Sequence, residues 1–175
     1  MSTHRHRDLS RRERQIMDVV YRRGRATAAE VLAELPDSEL ARPYGAAVAT
    51  LVHAADGRPE EALASAAAVA VAEGASYLDR ILALVGTGLA QVRADDAAAV
   101  EGPLDEAAAI ALDVGDLVAQ AIVEAAAAEA GGLRGDPDAT AWRAGALASF
   151  AGLGVDPTGW VRALRLAAGA VELAP

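Results

Sequence analysis

The chain has 175 residues, of which 53% are hydrophobic and only 3% aromatic, so its apolar side chains are mainly those of alanine, valine and leucine. This composition favours helices over sheets, and the absence of cysteine excludes disulfides and thiolate metal sites. The net charge is −9, but the first 25 residues carry +5 and the other 150 carry −14. This asymmetry predicts an anionic partner at the amino terminus only, unless the arginines there form a solvated helix face.

Two capping boxes mark the first two helices of the chain. They have the form Ser/Thr-x-x-Glu and begin at Ser10 and Thr27. The sequence predicts a helix over 11–23, a turn, and a second helix over 28–35 that Pro36 stops. The expected apolar faces are Ile16, Val19 and Val20 in the first helix and Val31, Leu32 and Leu35 in the second.

Residues 9–36 resemble the start of the penicillinase-repressor family of winged-helix transcription regulators. The matching residues are Leu9, Ser10, Arg11, Arg12, Glu13, Ile16, Met17, Tyr21, Gly24, Ala26, Thr27, Glu30, Val31, Leu32, Leu35 and Pro36. The resemblance implies a helix-turn-helix head that binds DNA as part of a dimer, and arginines there could contact phosphates in a salt-dependent way. The candidate nucleic-acid-binding residues are Arg11, Arg12, Arg14, Arg22, Arg23, Arg25, Thr27 and Tyr44.

After Asp37 the sequence departs from that family, in which a base-reading third helix and a two-stranded wing follow. The nearest equivalent of the third helix starts at Tyr44, and its polar side chains up to Asp56 are those of Tyr44, Thr50 and His53. Base reading needs arginine, lysine, asparagine or glutamine in the major groove, and this segment has none of them. No alternating strand pattern follows that could form a wing. The segment fits better as the first helix of a larger array.

From Tyr44 onward, helical segments alternate with glycine, aspartate and proline. Helices are expected to begin at the prolines and end at the glycines, with two aspartates as N-caps. The prolines are Pro59, Pro103, Pro137 and Pro157, the aspartates Asp136 and Asp156, and the glycines Gly57, Gly74, Gly115 and Gly131. Three apolar stripes with a helical period lie between these marks. They are Leu78, Ile81, Leu82, Val85, Leu89 and Val92; Val118, Ala121, Ile122 and Ala125; and Trp160, Val161, Leu164 and Ala168.

The helical segments also repeat. Gly57–Gly74 aligns with Gly102–Gly115, with starts 45 residues apart and ends 41 apart, a period typical of stacked helix pairs. Residues 44–169 resemble a degenerate, alanine-rich tetratricopeptide-type repeat, as found in helical tails of actinobacterial regulators. The resemblance implies about three antiparallel helix pairs. The predicted organisation is a basic head over 1–36, a junction over 37–43 and a repeat domain over 44–172.

Few titratable side chains suggest chemistry. His4 and His6 lack a third metal ligand at a fixed spacing, and His53, on an apolar helix, is expected to be a partly buried packing residue. The acidic pairs are residues 60–61, 95–96 and 105–106. Two of these pairs are expected in the first turn of a helix, where carboxylates complement the helix dipole, rather than in acid–base catalysis.

Two glycines and two tryptophans invite other interpretations. Gly86 and Gly88 lie inside a helical stripe with no preceding strand, so they are expected to permit close helix packing rather than to bind phosphate. Trp142 and Trp160 are expected to be core anchors. The sequence therefore predicts no catalytic residue, no metal, no cofactor and no enzymatic activity.

The predicted function is that of a regulatory adaptor. Its repeat array would bind a protein or peptide on the concave face, and its head could add DNA affinity. One alternative is a DNA-binding transcriptional repressor that uses Tyr44–Asp56 as its third helix. Another is the detached or recombined tail of a larger signalling enzyme, without activity of its own.

With no signal peptide or long apolar segment visible, a cytoplasmic bacterial protein without a membrane partner is expected, and a homodimer is compatible with the repressor resemblance.

Overall fold

A computed structural model describes residues 11–25, 41–94 and 100–169 of the chain, and every regular element in these ranges is an α-helix. The protein is therefore all-α, as the sequence predicts. The helices are α1 (Arg11–Arg23), α2 (Ala41–Ala55), α3 (Pro59–Ala70), α4 (Tyr77–Arg93), α5 (Glu101–Val114), α6 (Leu117–Leu133), α7 (Ala139–Gly152) and α8 (Thr158–Ala168). The chain divides into two compact units, residues 1–38 and 39–175.

The first unit contains α1, whose bounds are those predicted from the sequence. Val19 is buried and Val20 half-buried, in agreement with the expected apolar face. Gly24 follows the helix with a φ of +73°, which favours glycine and ends the helix. The predicted helix over 28–35 and both capping-box serine and threonine residues lie outside the described residues.

Within the second unit, α4 is the central helix and packs against α2, α3, α5, α6 and α8. Helix α3 lies on α2 and α4, α5 lies on α4 and α6, and α7 lies on α6. Helices α2, α4 and α6 therefore form an inner layer, and α3, α5 and α7 form an outer layer. In the part of the chain that the structure describes, the three outer helices do not contact one another.

Helix α8 breaks this alternation. It packs against all three inner helices and, among the described residues, against none of the outer ones. Leu164, Ala167 and Ala168 of α8 are buried in the same core cluster as Ile81 and Phe150. Helix α8 thus covers the side of the inner layer that faces away from the outer helices.

The three predicted apolar stripes all face the core. Every member of them is buried or half-buried, so the helical period assigned from the sequence is confirmed. Trp160 is half-buried and packs against both core clusters, as expected of an anchor. Trp142, by contrast, is 41% exposed, so its prediction as a core anchor is wrong.

Close approach of the helices depends on glycine, as the sequence predicts for Gly86 and Gly88. A Cβ on Gly86 would lie 2.6 Å from Cγ2 of Thr50 and 3.2 Å from the backbone nitrogen of Leu51, so α2 and α4 can approach this closely only at glycine. A Cβ on Gly88, on the other side of α4, would lie 2.9 Å from Cγ of Leu104 in α5. The central helix α4 therefore has a glycine where it meets α2 and another where it meets α5, and both allow close packing.

Glycines with positive φ end the helices at two of the four predicted positions, Gly57 and Gly115, whereas α3 ends at Ala70 and Gly74 lies in the turn that leads to α4. The fourth prediction, at Gly131, is wrong because α6 continues to Leu133 and the positive φ falls at Gly135. Gly131 is instead a packing residue, since a Cβ there would lie 2.9 Å from Cζ3 of Trp142.

Helix starts differ from prediction in detail. Pro59 is the first residue of α3, but Pro103 is the third residue of α5, and Pro137 and Pro157 precede α7 and α8. Asp136 and Asp156 lie upstream of the N-cap positions, and each accepts from the backbone N–H two residues further on, at 2.9 and 3.0 Å. They stabilise the turns that lead into the helices.

Two helix caps were not predicted from the sequence. Ser76 and Asp79 form a reciprocal capping box at the start of α4, although the box contains aspartate where glutamate was sought. The Asp116 carboxylate accepts from the N–H groups of Val118 and Ala119, both at 3.0 Å, and caps α6.

Arg93 joins the carboxyl ends of three helices. Its Nη1 donates to the carbonyl of Ala54, at 2.9 Å, and to that of Ala55 at the end of α2. A Cβ on Gly57 or on Gly169, after α8, would lie 3.2 Å from the same guanidinium. A cation complements the negative end of each helix dipole, so Arg93 helps to hold α2, α4 and α8 with their carboxyl ends together.

Candidate protein-binding surfaces

The predicted nucleic-acid-binding residues are only partly described. Arg22, Arg23 and Arg25 are exposed at the carboxyl end of α1, and Tyr44 is exposed on α2, in the other unit. Thr27 and the side chains of Arg11, Arg12 and Arg14 lie outside the described residues. Within the first unit, the three described arginines lie near one another at the end of one helix.

Helix α2, the predicted equivalent of a base-reading helix, is a packed helix of the second unit. It begins at Ala41, inside the predicted junction, so it includes one arginine, Arg42, contrary to the expectation that the helix has none. Thr50 is fully buried and donates to the Ala46 carbonyl at 3.0 Å, while His53 is half-buried, as predicted. The α2 face that carries Thr50 is thus pressed against α4.

The inner layer, the nearest equivalent of the predicted concave binding face, is covered by α8. A buried carboxylate holds this arrangement: Glu129 of α6 is 3% exposed. Its Oε1 accepts from Nε of Arg143 at 2.8 Å and its Oε2 from Nη2 of Arg143 at 3.1 Å. Nε of Arg165 in α8 lies 3.8 Å from the same Oε2.

Glu129 therefore links α6, α7 and α8. A buried carboxylate is costly unless it is paired, and a two-point arginine contact supplies both charge and directed hydrogen bonds. Sequence reasoning missed Glu129, because a single acid in an alanine-rich helix is normally solvated and its partners lie 14 and 36 residues further along the chain.

The outer layer leaves its surface open. The α3–α5 groove, between those helices and above α4, contains cavities of about 160 and 580 Å³. The first is lined by Ala66, Val69, Ala70, Arg80, Ala83, Leu84 and Glu106. The second continues the groove along Ala75, Tyr77, Arg80, Ala109, Ile110, Asp113 and Val114. Arg80 lines both cavities, Glu106 lines the first and Asp113 the second, so this groove has mixed charge.

A second groove, the α5–α6 groove, contains a cavity of about 310 Å³. Its lining residues come from two helices and are Leu104, Asp105, Ala108 and Leu112 of α5, and Gln120, Val123, Glu124 and Ala127 of α6. Helix α7 approaches the groove at Glu124, whose Oε2 accepts from the Ser149 hydroxyl at 3.0 Å. This groove has an apolar floor and, in its lining, only acidic charges.

Apolar side chains are concentrated at one end of the outer layer. This is the end where α3 leads into α4 and α5 leads into α6, and the exposed side chains are Val71, Tyr77, Leu112, Val114 and Leu117. Val71 is 83% exposed and Leu112 is 71% exposed. A group of exposed apolar side chains beside grooves is typical of a surface that a partner covers.

Two titratable groups, one at this surface and one before α8, have pKa values that local hydrogen bonds shift. The Tyr77 hydroxyl donates to Oδ2 of Asp116 at 3.0 Å, and this bond, with the nearby negative charge, raises the pKa of Tyr77 above 10.0. The Thr158 hydroxyl and backbone N–H donate to Asp156 and lower its pKa below 3.8. Both groups therefore keep their ordinary charge at neutral pH.

The acidic pairs do not form a reactive cluster. Glu60 and Glu61 lie in the first turn of α3, as expected, whereas Asp105 and Glu106 lie beyond the first turn of α5, which begins at Glu101. The pair at 95–96 lies outside the described residues. Among the described residues there is no group of three histidine or acidic side chains placed to hold a metal ion.

Comparison with known proteins adds no relative: no protein-family model, no curated protein and no solved structure matches the chain. The resemblances of the head to the penicillinase-repressor family and of the remainder to tetratricopeptide-type repeats therefore stay predictions. None of the helices in the described ranges has the length and apolar content required to cross a membrane.

Proposed function

We propose that the protein is a non-enzymatic adaptor that binds a segment of another protein on its outer layer. The observation that carries this proposal is the spacing of α3, α5 and α7, which leave grooves between them instead of packing together. The proposal moves the binding surface from the inner layer, which the sequence favoured, to the outer layer, because α8 covers the inner one.

The apolar content of the outer surface supports the proposal. At the end of the outer layer where α5 leads into α6, Leu112 is the most exposed leucine side chain, and it borders the α5–α6 groove. An exposed leucine is ordinary when it stands alone, but here Val114 and Leu117 follow it at the turn into α6. Covering such side chains is the main source of affinity in protein interfaces.

Replacing Leu112 with arginine should weaken partner binding without unfolding the protein. Affinity capture with the full chain from a lysate of the source organism compares wild type with this variant. We expect the captured amount of the specific partner to fall about tenfold, which corresponds to a loss of about 1.4 kcal/mol of binding free energy, because the change removes apolar contact area and places a charge in the interface.

Val52→Arg is the matched control for this experiment. Val52 is an exposed aliphatic residue of α2, outside the outer layer, so the same added charge there should leave capture unchanged. Equal loss in both variants, or no loss in either, would contradict the outer layer as the binding surface.

We also propose, as a separate activity of the head, weak binding to nucleic acid. The formation of α1 over Arg11–Arg23, with exposed Arg22 and Arg23 in its last turn, supports this second proposal. Fluorescence anisotropy with duplex DNA should give binding that weakens steeply as salt is added and does not depend on base sequence. A retained sequence preference would favour the repressor alternative, and no binding at low salt would discard both.

A further inference from the structure

We propose that the α5–α6 groove binds a basic amphipathic helix of the partner protein. The inference rests on the proposed adaptor function and names the chemistry of the partner. It uses the floor of the groove, the placement of its charges and its length.

The floor of the groove is apolar along two facing strips. Leu104, Ala108 and Leu112 follow one another at four-residue intervals on α5, and Val123 and Ala127 do so on α6. Residues four apart lie on the same face of a helix, so each strip runs along the groove. Leu104 and Val123 are buried at the base of the groove, while Leu112 is exposed at the end of the groove near the turn into α6.

The strip on α5 is about 12 Å long, because eight residues of helix rise by that distance. A partner helix with apolar side chains at every third or fourth position can place two turns of them against both strips. The alanines leave room for larger side chains from the partner, which is the usual arrangement when a helix docks in a groove.

The charges flanking the strips are all negative. Asp105 lies on the α5 wall and Glu124 on the α6 wall, and in the described part of the chain no arginine forms an ion pair with either. Helix α5 itself contains four acidic residues and no basic one. The α3–α5 groove differs, because Arg80 lines it. Charge complementarity therefore favours arginine or lysine beside the apolar face of the occupant.

A synthetic peptide of about 16 residues is the probe, with leucine on one helical face and arginine on the others. A fluorescent label on the peptide reports its binding to the full chain. The dissociation constant is compared between the wild type and the double variant Asp105→Asn, Glu124→Gln. We expect the dissociation constant to rise about tenfold in the double variant, and the salt dependence of binding to weaken.

The double variant Glu60→Gln, Glu61→Gln is the matched control, since it removes two exposed acids from α3, away from the α5–α6 groove. It should bind the peptide about as tightly as wild type. Equal weakening in the two double variants would overturn the proposal, because it would indicate general attraction to an acidic surface. Equal binding of a peptide with glutamate in place of arginine would also overturn it.

The adaptor proposal can survive that failure. If Leu112→Arg loses the captured partner while the arginine peptide does not bind, the outer layer is the binding surface and the basic helix is the wrong occupant. If the peptide binds through Asp105 and Glu124 while capture is indifferent to Leu112→Arg, the peptide result supports the groove chemistry and the capture result contradicts the adaptor proposal as stated.

Discussion

Replacing Gly86 with valine should lower the free energy of unfolding by about 3 kcal/mol, the upper part of the usual range for overpacking a core. Even the first added carbon would lie 2.6 Å from Cγ2 of Thr50 and 3.2 Å from the Leu51 backbone nitrogen. Thr50 is β-branched and fully buried, so its side chain has no free rotamer to move into, and the backbone of α2 would have to shift. Urea denaturation followed by circular dichroism measures the loss.

The matched control is Gly145→Val. Gly145 lies inside α7, is exposed, and a Cβ there would meet nothing within 4 Å. Valine has a slightly higher helix propensity than glycine, so the free energy of unfolding should change by less than about 0.5 kcal/mol. A similar loss in both variants would mean that Gly86 does not set the distance between α2 and α4.

The sequence predicts features that depend on neighbours along the chain. The stripe from Leu78 to Val92 and the helix ends at Gly57 and Gly115 follow from helical periodicity and backbone conformation, both of which act over a few residues. The start and end of α1 were predicted for the same reason. In these places local preference and tertiary packing favour the same structure.

Features that depend on distant contacts could not be predicted in this way. Gly131 resembles a helix end in sequence, but the ring of Trp142 occupies the space beside it and α6 continues. Helix α8 has the same pattern as the helices before it, and nothing in its spacing indicates that it packs on α2, α4 and α6 while it avoids α7. That choice depends on which apolar faces remain uncovered after the other helices have packed.

The candidate surface was missed for a related reason. Sequence repeats predict which faces of the helices are apolar, but a groove depends on the distance between helices that are far apart in sequence. The notable signal was Leu112, which falls outside the apolar stripes assigned from the sequence and is followed by Val114 and Leu117 at a turn. Large apolar residues at a helix end and turn, where polar residues are usual, can indicate a binding surface before the fold is known.

Replacing Leu164 with alanine should lower the free energy of unfolding by about 3 kcal/mol, within the range for a leucine truncated in a packed core. Leu164 is the fully buried leucine of α8 and lies in the main core cluster with Ile81 and Phe150. Since small proteins are commonly stable by about 5–15 kcal/mol, this loss should be visible as a large shift of the urea midpoint.

Leu112→Ala is the matched control, because it removes the same atoms from a side chain that is 71% exposed and should cost less than about 1 kcal/mol. The comparison tests whether α8 belongs to the core. A large cost at Leu164 means that α8 belongs to the folded core and covers the inner layer, which supports the outer layer as the proposed binding surface. If the two variants lose equally little, α8 contributes little to the fold, the inner layer can open, and the predicted concave surface again becomes available to a partner.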